Sequence, residues 1–152
     1  MNISSSTNSD GKNGDEREVK AVIEGWAEAT RQKDVHSLIS RFTPEPLRFS
    51  LAPPLASQTS STKEAEEWFG SFDGPIGYEV KNLSVTTGDH AAFAHGFVHI
   101  TGTKKDGEKP NLWCRVTLGL QKIDGRWLIS HLHESVPFLM DGSFKAAVDL
   151  TP

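Results

Sequence analysis

One cysteine, Cys114, stands in the 152-residue sequence. A lone thiol cannot close an intrachain disulfide, so a reducing, cytoplasmic setting is expected. No apolar run reaches the ~18 residues that a membrane-spanning helix needs, so no membrane partner is expected. The opening string MNISSSTNSDGKNGD has neither the basic nor the apolar stretch of a secretory signal. Basic charge is scarce as well: 16 Lys and Arg face 20 Asp and Glu, giving a net charge of −4. Without a Lys/Arg stripe there is no electrostatic case for nucleic acid. GxSxG, the phosphate-binding Walker pattern and GxGxxG are all missing, which removes support for acyl transfer, nucleotide and dinucleotide chemistry. No HxxxH on a predicted helix, cysteine cluster or carboxylate at ligand spacing strengthens a metal reading, and no cofactor is expected.

What remains is an ordinary globular composition, 36% hydrophobic and 24% charged, at the length of one domain. Residues 1–15 offer almost nothing to bury and predict a disordered tail, with a single domain over 16–152. Val19, Val22, Ile23, Trp26 and Thr30 recur at helical spacing and predict an amphipathic helix. Asp34 is a good N-cap for a short second helix ending near Phe42. Arg48–Leu51 reads as a short strand stopped by Pro53 and Pro54. Ser61 to Glu64 is a capping box opening a third helix that ends at Gly70.

From Tyr78 onward the pattern is strand and hairpin. Four strands are predicted over 78–87, 91–103, 111–123 and 126–134, with Asp124-Gly125 a strong hairpin turn. Asp141 or Ser143 suggests a last helical turn through Phe144–Val148. Helices first and an antiparallel meander later indicate an α+β domain with the helices on one face. Both parities of 111–123 and 126–134 carry apolar residues, so both faces of the sheet need cover. The expected cover for the outer face is a second copy, in a homodimer built sheet to sheet.

The order of elements resembles the nuclear-transport-factor-2-like (NTF2-like) superfamily, and within it SnoaL-like and ketosteroid-isomerase-like proteins. The resemblance spans roughly 16–150. It rests on strings such as Leu51-Ala52-Pro53-Pro54-Leu55, Asp124-Gly125-Arg126-Trp127-Leu128-Ile129 and His131-Leu132-His133-Glu134-Ser135-Val136-Pro137-Phe138. It implies a cone-shaped, cystatin-like fold, usually dimeric: a strongly curved, mainly antiparallel sheet packed on about three helices around a pocket. It does not imply one activity, because the superfold hosts isomerases, cyclases, dehydratases and binding modules. Aligned on ketosteroid isomerase, the base position falls on Ser50, the oxyanion tyrosine on Trp26 and the second aspartate near Gly119. None of these supplies the required group, since a serine hydroxyl is no unaided base at neutral pH.

Acid–base candidates must come from elsewhere. His95 and His99 share one strand parity, as do His131 and His133. Side chains two apart on a strand lie about 7 Å apart on one face, close enough to act on one ligand. In the catalytic reading His131 or His133 is the general acid/base, with Arg115 and His95 orienting a small apolar substrate. Trp113, Trp26 and Ser50 complete the candidate ligand-binding set. In the other reading these histidines are hydrogen-bonded interface residues and the protein is a non-catalytic binding or dimerisation module. Arg115 either holds an anionic ligand or bridges to Glu134 or a partner. Cys114, flanked by apolar residues of its own parity, reads as a buried, inert thiol.

Overall fold

Helix α1 (Thr7–Arg31) presents Val19, Ile23, Trp26, Ala27 and Thr30 to the interior, as its apolar stripe dictates. It comes from a computed structural model that describes residues 7–152. α1 is followed by α2 (Val35–Ile39), β1 (Phe42–Phe49), α3 (Thr62–Gly70), β2 (Gly77–Thr87), β3 (Ala91–Thr101), β4 (Asn111–Ile123) and β5 (Arg126–Ser135). The Asp34 carboxylate accepts from Ser37 N–H and caps α2, while the Ser61 hydroxyl accepts from Glu64 N–H and caps α3. The expected α+β architecture is thus present.

Residues 7–15, expected within a disordered tail, form the first turns of α1; residues 1–6 lie outside the described residues. Ser, Asn and Gly are poor helix formers, so tertiary contact has to supply the stability. It comes from Asp15, whose Oδ1 accepts from Lys122 Nζ at 2.9 Å and from Trp127 Nε1 at 3.1 Å. These bonds tie the helix to the β4–β5 hairpin.

The five strands lie in the order β1-β5-β4-β3-β2. Only the β1–β5 pair is parallel. β1 starts earlier than expected and contains Pro44 and Pro46. An edge strand tolerates them because one side of its backbone needs no ladder partner. The suggested helical turn over 144–148 is absent: Phe138 and Ala146 form a β-bridge, and Asp141 accepts from Ser143 N–H in the intervening turn. Local hydrogen bonding by Asp and Ser competes with helix there.

The inner face of the sheet carries Ala94, Val98, Cys114, Val116, Leu118, Leu120 and Ile129, all buried against α1 and its neighbours. The mixed parity of β5 has a specific cause. Gly119 pairs with His131 and Leu120 with Ile129, so Ser130 is an extra, bulged residue. Before the bulge Trp127 and Ile129 point inward; after it Leu132 does. His131 and His133 are thereby turned outward, and Glu134 inward.

Candidate functional site

Between the concave sheet and the three helices lies a cavity of about 770 Å³. Trp26 and Thr30 of α1, Leu38 and Ile39 of α2, and Ala65 and Trp68 of α3 form its helical walls. Segment 50–61 lies across it, held to the edge strand by paired backbone hydrogen bonds between Arg48 and Ser57. The surface is mostly apolar and aromatic, as in small-molecule sites generally. The Tyr78 ring packs edge-on to Trp26 at 5.2 Å between centroids and to Trp68 at 6.4 Å.

Two polar constellations interrupt that apolar wall. In the first, the buried Tyr78 hydroxyl donates to Glu134 Oε1 at 2.8 Å. Burial pushes the Glu134 carboxyl above its ordinary value; the Tyr78 hydrogen bond and the nearby Arg48 charge oppose that rise without cancelling it. Burial, reinforced by the Glu134 charge, also pushes the Tyr78 phenol well above its ordinary value. Tyr78 therefore stays a hydrogen-bond donor at any working pH. Among the described residues Oε2 of Glu134 has no protein partner, which leaves it available to a ligand.

In the second constellation, Arg48 Nη2 donates to Glu64 Oε2 at 2.7 Å and to Ser57 Oγ at 3.4 Å. The Nε–H of Arg48 is buried without any partner. Arg48 is paired in register with Leu132, so its side chain and that of Glu134, two residues further along, share the inner face.

Of the expected site residues, the structure brings only Trp26 and Ser50 to the cavity. His131, His133, Arg115, His95 and Trp113 do not line it. The Ser130 bulge sends both histidines to the outer face, where they flank the Phe49 ring at 5.1 and 5.2 Å. His131 Nδ1 lies 2.8 Å from the Leu47 carbonyl oxygen. Arg115 Nε donates to Ser135 Oγ rather than to Glu134, and it is exposed. Trp113 stacks on His99 at 4.4 Å, and His95 is exposed opposite Thr117. Gly119 faces the His131 Cβ. The cavity holds a glutamate and a tyrosine at positions the alignment on ketosteroid isomerase did not reach, and its arginine is Arg48, not Arg115. A signal for Glu134 was available, since it shares parity with the apolar Leu132.

The SnoaL-like domain family matches residues 19–139. A Pseudomonas putida KT2440 NTF2-like protein of unknown function is 29% identical; the match covers 92% of this chain and 98% of that one, with a TM-score of 0.82. A Novosphingobium aromaticivorans protein named as a candidate scytalone dehydratase is 16% identical over 95% of this chain and 98% of its own, with a TM-score of 0.74. A Streptomyces avermitilis protein named as a candidate dehydratase of the NTF2-like family is 14% identical over 82% and 97%, with a TM-score of 0.71. The last two likenesses are likenesses of fold alone. No curated protein matches the chain. With the match running from the middle of α1 past β5, the chain belongs to the SnoaL-like domain family of the NTF2-like superfamily.

Proposed function

We propose that the cavity binds a small, largely apolar molecule and performs cofactor-free acid–base chemistry on it through Glu134. The observation that carries this reading is the Tyr78–Glu134 hydrogen bond inside an apolar cavity. A general base works best when its pKa lies near the operating pH, and burial moves Glu134 in that direction. Tyr78 fixes Oε1, so Oε2 faces the ligand and takes up or returns the proton. Such a shuttle serves isomerase-, cyclase- or dehydratase-like reactions equally. It places the acid–base role on Glu134 instead of His131 and His133.

Native mass spectrometry of the purified chain identifies any small molecule that it carries. Hydrogen–deuterium exchange of that molecule, followed by NMR, then tests the chemistry. Glu134→Gln should retain binding and lose exchange by at least ~100-fold, as removal of a general base does. Equal rates would leave a non-catalytic binding module.

A second copy of the chain on the outer face is also proposed. What supports it is a row of large side chains there, including Phe93 at 51% exposure, partly buried Phe97 and the stacked His99–Trp113 pair. Light scattering at micromolar concentration should give twice the chain mass, and Phe93→Glu should lower it. A monomer at that concentration overturns the proposal.

A further inference from the structure

We propose that Arg48 sets the substrate class, so that the cavity selects apolar molecules bearing a carboxylate. The inference rests on the binding reading above and adds the polar group that the ligand must carry. Arg48 lines the cavity from the edge strand, and among the described residues only one of its guanidinium nitrogens, Nη2, is hydrogen-bonded to protein. Its Nε–H is buried and unpaired, and among the described residues Nη1 has no hydrogen-bond partner either, so the guanidinium keeps a terminal donor for a ligand. A guanidinium presents a planar fork of donors matched to a carboxylate.

The resting partner of Arg48 is weak competition for such a ligand. The Glu64 side chain is 55% exposed and, as a surface ion pair, is readily exchanged. A second cation also lines the cavity: Lys104 lies 5.0 Å from the Phe72 ring centroid, with no carboxylate partner among the described residues. Glu134, the other acid present, already accepts from Tyr78. The polar balance of the cavity thus favours an incoming anion at the Arg48 end, with the apolar body against Trp26 and Trp68. In that pose the atoms next to the carboxylate lie towards Glu134, which shares the inner face with Arg48.

The test is isothermal titration calorimetry with three matched pairs: phenylacetate, 1-naphthylacetate and octanoate, each against its own primary amide. In the wild type at least one carboxylate should bind ten-fold or more tightly than its amide. Arg48→Met should abolish that preference while the amide still binds. Glu64→Gln, which keeps Arg48 and removes its competitor, should strengthen carboxylate binding several-fold. Equal affinity for acid and amide in the wild type overturns the proposal, as does a preference that survives in Arg48→Met. If amides bind as well as acids, the cavity reading stands and only the role of Arg48 fails. If no member of any pair binds, the cavity reading itself fails and takes this inference with it.

Discussion

Tyr78, on the first residues of β2, hydrogen-bonds Glu134, near the end of β5, at 2.8 Å across the concave face of the sheet. The two residues are 56 positions apart in the chain, and β3 and β4 lie between their strands. Curvature of the sheet brings them together, and the Ser130 bulge turns Glu134 inward. Removing one partner therefore disturbs both the fold and the proposed acid–base group.

Tyr78→Phe deletes the hydroxyl while keeping the ring between Trp26 and Trp68. The hydrogen bond lowers the Glu134 pKa, so its loss should raise that pKa further. It should also destabilise the fold by about 1–3 kcal/mol, the cost of leaving a buried acceptor unpaired. Carbon-13 NMR titration of labelled glutamate and urea unfolding measure the two effects.

Stability should depend on pH through Glu134 with the sign opposite to that of a salt-bridged carboxylate. Its folded pKa lies above the unfolded value, near 4.5, so the folded state binds more protons between the two. The stability present below pH 4.5 is then lost as pH rises through the folded pKa. Urea midpoints across pH 4–8 should fall less steeply in Glu134→Gln than in the wild type.

The Asp15 tether works in the other direction. Hydrogen bonds from Lys122 and Trp127 hold its carboxyl below the ordinary value, so its contribution is present at neutral pH and fades as pH falls through the folded pKa. Asp15→Ala should speed amide hydrogen exchange in the first turns of α1 and leave the centre of α1 protected. Unchanged exchange there would mean that the tether does not hold the helix start.

Cys114 is buried, and its thiol is pushed up to about 12, chiefly by burial. It should resist a maleimide in the native state at pH 8 and react fully in urea. Rapid native labelling would contradict the packing of β4 against the helices.

Because neither histidine lines the cavity, His131→Ala and His133→Ala should leave ligand affinity within two-fold in calorimetry. A loss of ten-fold or more would return them to the site.

Much of this architecture was legible from local patterns. The apolar stripe of α1, the Asp34 and Ser61 caps and the Asp124-Gly125 turn each depend on a few neighbouring residues. Alternation along 111–123 set apart the more apolar parity of β4, Leu112 to Leu120, and the structure turns that parity inward. The candidate site was less legible. Strict alternation places Trp127, Ile129, His131 and His133 on one face, and only the bulge at Ser130 breaks that parity. The start of α1 was equally hidden, since its stabilising partners lie more than a hundred residues away.

The sequence by itself determined the α+β class, the helix caps, the spans of β2 to β5 and a buried Cys114, because periodicity and turn chemistry act over short distances. Only the tertiary structure decided which polar groups share the cavity. One extra residue in β5, together with the parallel pairing of β1 with β5, brings Glu134, Tyr78 and Arg48 to one face. A register shift leaves no mark on composition, yet it exchanges which side chains of a strand face the ligand.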